Sequence, residues 1–147
     1  MLKKKLILIQ LNEINFDVIR LYSDKYTFKF FNKKNLDSLI TTTSEKEYYL
    51  LEPWIQWLSV YTGLSANEHK IFRLGDNEKN SLIQIFENIE KNNFEVGAIC
   101  PMNAKNNLNK TKYFIPDPWS SSKPNNNYIN KLIFSTIAKL VNNNSKN

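Results

Sequence analysis

The chain has 147 residues, 41% of them hydrophobic and 13% aromatic, with a formal net charge of +6 and a pI near 9.3. That length suits one domain with its own core, no run approaches the roughly 20 apolar residues a membrane span needs, and the single Cys100 excludes an internal disulfide. The positive charge does not point to a specific nucleic-acid partner: the lysines are scattered among asparagines, Arg occurs only at Arg20 and Arg73, and nucleic-acid surfaces concentrate basic residues on one face or groove.

The first segment, "LKKKLILIQL", mimics a signal peptide, with a basic flank before an apolar run. The run is short, Gln10 interrupts it and no small-residue cleavage site follows, so the expected element is a strand in a cytoplasmic chain that avoids the membrane. Lys5 to Leu11 is nearly continuous in apolar character, the pattern of a strand buried on both faces of a parallel sheet. "NFDVIRLYSDKY" then carries Phe16, Ile19 and Tyr22 at helical spacing. "NLDSLI" predicts a helical turn with Asn35 as its N-cap. "TTTSEKEYYLLEP" is rich in β-branched and aromatic residues and predicts an extended segment before Pro53.

From Glu52 the chain reads "EPWIQWLSVYTGLSANEHKIFRLGD". Trp54 and Trp57, three apart, would share one face of a helix that Gly63 ends as its C′ residue. Next, "NSLIQIFENIEKNN" sets Leu82, Ile85, Phe86 and Ile89 at helical spacing, with Ser81 and Gln84 fitting a capping box. "FEVGAIC" predicts a strand and "PMNAKNN" a loop leaving it. Alternating strands and helices point to βαβ units and an α/β fold, a mostly parallel sheet flanked by helices, over residues 1–105. Residues 106–147 form a polar, proline-bearing excursion and then a helix with Ile129, Leu132, Ile133, Ile137 and Leu140 on one face. That face needs a partner.

In open α/β sheets, sites form beyond the carboxyl ends of strands. Asn12, Glu13, Asn15 and Asp17 cluster after the first predicted strand and offer oxygen ligands for a hard cation or Zn²⁺. The competing reading is that Asn12 and Asn15 cap the following helix and Asp17 favours its first turn through the dipole. Ser59, as a nucleophile, needs an adjacent base. His69 is the one histidine, and nothing in the sequence sets it beside Ser59. With three glycines, Gly63, Gly75 and Gly97, there is no phosphate-cradling loop, and no Cys/His spacing suggests a zinc site. The aromatics Trp54, Trp57, Tyr61, Tyr113, Phe114 and Trp119 fit core packing, or a binding or assembly surface for a carbohydrate or protein.

Taken together, "LILIQLNEINFD", "EPWIQWLSVYTGLSANEHKI" and "SLIQIFENIEKNNFEVGAIC" resemble the N-terminal part of the alkaline-phosphatase-like superfamily. That superfamily includes type I phosphodiesterases/nucleotide pyrophosphatases and sulfatases. In it a first strand ends in an acidic metal ligand; a later segment carries the nucleophile, then Thr-Gly, then a loop ending in His-Gly. The similarity covers roughly residues 5 to 105, and the Thr62-Gly63 to His69 spacing is its most specific element. The resemblance implies a phosphoester or sulfoester hydrolase, or a phospho-group transferase. It implies small phosphate or sulfate esters as substrates and divalent metal ions, Zn²⁺ or similar, as cofactors. It sets Asn12 and Glu13 at the metal, and Trp54, Gln56 and Ser59 along the substrate pocket.

The departures shape the expectation as much as the matches. Asn12, a neutral and weaker ligand, stands at the position of the family's Asp. The nucleophile position falls on Pro53, which has no nucleophilic atom, and Lys70 follows His69 where the family has Gly. A two-metal site needs several carboxylates and histidines to hold ions about 4 Å apart. This chain is therefore expected to be the N-terminal portion of a longer hydrolase-like protein, from a truncated reading frame or a split gene with a complementing C-terminal half. Alone it should be inactive and bind no metal tightly.

Overall fold

The structure is a computed structural model that describes residues 5–26, 31–40 and 42–144. It divides into two compact units, Met1–Thr43 and Ser44–Asn147.

In the first unit, Asn15 starts helix α1 (Phe16–Tyr26) by accepting the Asp17 and Val18 amides on its Oδ1, both at 3.0 Å. The helix carries an Asp17–Arg20 ion pair of 2.9 Å and a stacked Tyr22–Tyr26 pair. Asn15 and Asp17 therefore serve the helix start. Helix α2 (Lys33–Asp37) packs on α1 and buries Leu36. Its N-cap is Asn32, whose side chain accepts the Asn35 amide, so the cap expected at Asn35 lies three residues earlier.

The strand expected at Lys5–Leu11 does not form: these residues have no regular structure, and Leu6 and Ile7 are 86% and 82% exposed. An apolar run is held as a strand only by a neighbouring ladder, and the ladder among the described residues joins two other segments. The segment before Pro53, expected as a strand or extended stretch, pairs in no ladder over its described residues from Thr42 on. It is irregular and closes in a 3-10 turn, Tyr48–Leu50, that buries Leu50.

The second unit holds the core. Helix α3 (Pro53–Thr62) is followed by a single helical turn, α4 (Ala66–His69), and a 3-10 turn, Asp76–Lys79. Helix α5 (Ile85–Lys91) starts one turn later than the sequence suggests: its capping box is Gln84 with Glu87, not Ser81 with Gln84. Strand β1 (Gly97–Ile99) pairs in parallel with β2 (Tyr113–Ile115), in register Gly97–Tyr113, Ala98–Phe114 and Ile99–Ile115. Among the described residues the sheet has two strands, and the connection from 100 to 112 carries no helix, so the expected βαβ unit does not arise among them. The class is α/β, with helices and a small parallel sheet. β2 lies inside the stretch expected to be an irregular excursion.

Tyr61, Phe86, Val96, Ala98, Ala104 and Phe114 form the main apolar cluster. Phe86 links its two sides, tilted against Tyr61 at 5.1 Å and edge-on to Phe114 at 6.2 Å. A second cluster joins Leu50, Ile55 and Ala66, with Trp54 against it. Trp54 and Trp57 thus serve different clusters, although they share one helix.

Helix α6 (Tyr128–Asn144) packs on β2. Its more sheltered positions are Asn130, Phe134, Ile137, Ala138 and Val141, spaced i, i+4, i+7, i+8, i+11. Buried Asn130 donates to Asn125 Oδ1, and Asn125 exchanges hydrogen bonds with the backbone of Phe114. The stripe expected to seek a partner keeps four of its five residues exposed, Ile129, Leu132, Ile133 and Leu140. Asn130 anchors the sheltered side beside β2, and most of the stripe lies outside that contact.

Phe114 is fully buried at the centre of the main cluster. Phe114→Ala is expected to lower the unfolding free energy by about 3–5 kcal/mol, as large core truncations do, read from the midpoint of urea denaturation.

Candidate functional site

The most constrained polar arrangement is built on α3 and α4. Pro53 occupies N1 of α3, where its missing N–H leaves no bond unmade. Gly63 closes the helix in the left-handed region, φ 71°, donating its amide to Ser59 O at 2.8 Å. Two residues on, Ser65 and Glu68 form a capping box that starts α4. Glu45 accepts the Ala66 amide at 2.7 Å and fixes the same turn from outside. Lys70 then ends α4 in the left-handed region as well, φ 56°.

This reversal brings His69 against α3. Its Nε2 lies 3.1 Å from Ser59 Oγ, a pairing that no local pattern in the chain announces. The ring is buried, at 4% exposure. Its other nitrogen, Nδ1, accepts the Ile71 backbone N–H at 3.0 Å. A nitrogen that accepts cannot carry the proton of a neutral imidazole, so that proton sits on Nε2 and is donated to Ser59 Oγ. The roles are the reverse of a nucleophile–base pair: Ser59 accepts, and no free lone pair is left to take its proton. Burial holds the ring below the usual histidine pKa, against the opposing pull of the Glu45 carboxylate and a backbone hydrogen bond with Ile55. His69 is a neutral clamp between α3 and the segment that follows α4.

The other expected pocket residues are also engaged within the chain. Trp54 donates its indole N–H to Phe72 O at 3.2 Å, and Gln56 donates to Leu50 O at 2.7 Å. A cleft of about 260 Å³ lies elsewhere, with Leu82, Glu87, Glu90 and Asn107 in its lining. Asn12 and Glu13, in the first unit, are exposed, and Glu13 has a left-handed backbone, φ 56°. Among the described residues no three His, Cys, Asp or Glu side chains gather as a metal would require. The donors at hand do not fit a two-ion centre, and no metal-dependent step follows from them.

A second polar cluster lies where the chain leaves the two strands. Asn103 and Asp117 are each 1% exposed. Asp117 accepts the amides of Asn103, Trp119 and Ser120, between 2.8 and 2.9 Å, and so ties the loop after β1 to the loop after β2. Asn103 donates through Nδ2 to Trp54 O and accepts the Gly75 amide, fastening the start of α3 to the same point. Asn77 and Gln84 extend the network to Asn103 O and to the backbone of Lys105. Each of these bonds satisfies a group that would be costly to bury alone.

One sequence signal bears on this arrangement. Ser65-x-x-Glu68 is a capping-box pattern that marks the start of α4 and thereby returns His69 toward α3. No comparable signal announces the Asn103–Asp117 link, which joins positions fourteen apart across two loops. No protein-family model, curated protein or solved structure matches this chain.

Two substitutions probe this geometry. Asn103→Ala leaves the Gly75 amide without its acceptor and removes a bond to Trp54 O, and should cost about 1–3 kcal/mol in chemical unfolding, the range for an orphaned buried polar group. Lys70→Gly should add about 0.5–1 kcal/mol in the same measurement, because glycine adopts the left-handed region without the Cβ clash.

Proposed function

We propose that the chain is the N-terminal portion of an alkaline-phosphatase-like scaffold of the phosphoester and sulfoester hydrolases, and that by itself it turns over no substrate. The observation that carries this reading is the backbone at the two glycine positions of the Thr-Gly…His-Gly pattern. Gly63 is left-handed, φ 71°, and so is Lys70, φ 56°, which stands where the pattern has its second glycine. A lysine held in a conformation that favours glycine supports a backbone path of the kind the pattern describes. The α/β class, with α3 beginning at Pro53, is compatible with the same reading.

The side chains support the second half of the proposal. Position 53 offers no nucleophile, His69 is committed as a donor to Ser59, and Asn12 and Glu13 bring one charge between them. Phosphoryl and sulfuryl transfer depend on electrostatic stabilisation of charge that develops in the transition state. In this proposal the nucleophile and the metal ligands come from residues outside this chain, and the substrate is a small phosphate or sulfate ester.

The purified chain, given Zn²⁺, should hydrolyse p-nitrophenyl phosphate, bis(p-nitrophenyl) phosphate and p-nitrophenyl sulfate no faster than a protein-free control. Calorimetric titration with Zn²⁺ should give no tight two-ion binding. Saturable, chelator-sensitive turnover by the chain alone would contradict the proposal.

A second reading, a non-catalytic assembly module, is favoured by the exposed stripe Ile129, Leu132, Ile133 and Leu140 on α6 and by Trp119 at 56% exposure. Phe114, one of the aromatics considered for such a surface, is instead fully buried. Light scattering separates the two readings: a monodisperse dimer that Leu132→Lys dissociates supports assembly, and a monomer or polydisperse aggregate counts against it.

A further inference from the structure

We propose that the segment from Leu64 to Ile71 is an acid-released latch over the Leu50–Ile55–Ala66 cluster, with the His69 ring as its catch. The inference is independent of any catalytic reading and rests on how the ring is held. Nδ1 accepts the Ile71 amide, and that partner is itself a donor. A proton added at Nδ1 sets N–H against N–H at a contact of 3.0 Å, and the bond becomes a repulsion. The Nε2 side can stay as it is, since it already donates to Ser59. Protonation therefore acts on one contact, the one that ties the chain after α4 back onto the ring.

The charges around the ring are few. Helix α3, from Pro53 to Thr62, contains no ionisable acid or base other than Tyr61 and presents the Ser59 hydroxyl to the ring. From the segment before α3, Glu45 exerts the charge that favours protonation, but its carboxylate is already bonded to the Ala66 amide. On α4 itself, Glu68 is bonded to Ser65, and Lys70 is exposed. Both carboxylates already accept backbone amides, and the backbone of Ile55 is the remaining group that favours the protonated ring. The buried ring then relieves the conflict by leaving its site, which uncovers Ala66 and the cluster beneath it.

The sign follows from the direction of the shift. Burial lowers the pKa of His69 in the folded chain relative to 6.5, so the unfolded or opened chain binds the proton more readily. The clamp contributes its full stability above the unfolded value. That contribution is lost as pH falls through 6.5 toward the lowered folded value. In that interval each pH unit favours the opened form about tenfold.

Amide hydrogen exchange tests the latch on the whole chain. The protection factor of the Ile71 amide, corrected for intrinsic exchange, should fall about tenfold per pH unit from 6.5 down to the lowered folded value and level off below it. At every pH Ile71 should exchange faster than the amides of α5, which report opening of the whole unit. In His69→Gln the slope should vanish. If that variant fails to fold, the wild-type comparison between Ile71 and α5 still decides. A flat Ile71 profile in the wild-type chain, a slope that persists in a folded His69→Gln, or exchange of Ile71 and α5 at equal rates would each overturn the latch.

Discussion

The hydrogen bond from the Ile71 amide to Nδ1 of His69 governs how the central polar arrangement is read. It is a single backbone contact, yet it determines which ring nitrogen carries the proton. With Nδ1 accepting, Nε2 must donate, and Ser59 becomes the acceptor of a serine–histidine pair 3.1 Å apart. Distance alone would suggest an activated nucleophile. The identity of the donor on the far side of the ring shows that the polarity is reversed.

The same segment explains why so many aromatic and polar residues crowd a short stretch. Between Trp54 and Ile71 the chain reverses once and serves both apolar clusters. Trp54 and Ile55 go to one, Trp57 and Tyr61 to the other. Two left-handed residues, Gly63 and Lys70, bound the reversal. Polar side chains bridge what the reversal leaves open: Gln56 to Leu50, Glu45 to Ala66, and Asn103 to both Trp54 and Gly75. The candidate pocket residues are thus bound up with holding the fold, and Asn103 and Asp117 gather the strand-exit loops around the start of α3.

What could be read from the sequence divides along a physical line. Local signals were legible: the helix from Phe16, the glycine that ends α3, the periodic residues Ile85, Phe86 and Ile89, and the strand around Ala98. Each depends on neighbours within about one turn. Features set by distant contacts were not. Lys5–Leu11 has the composition of a buried strand but lies outside the ladder, and Tyr113–Ile115 pairs with β1 from inside a proline-bearing stretch. On α6 the periodic residues were legible, but which side meets β2 was not: the sheltered side is centred on Asn130, Phe134 and Val141, next to the stripe, and shares Ile137 with it. For the site, a helix cap was foreseeable in Asn15, but the approach of His69 to Ser59 required the path of the whole 63–70 reversal.

The claim on which the account rests is that His69 is a neutral, Nε2-protonated clamp. Nitrogen-15 NMR of the imidazole at pH 7 tests it most directly, since protonated and bare ring nitrogens resonate far apart. The account predicts a bare, hydrogen-bonded Nδ1 and a proton on Nε2. A proton on Nδ1, in either the neutral ring or an imidazolium, would contradict it.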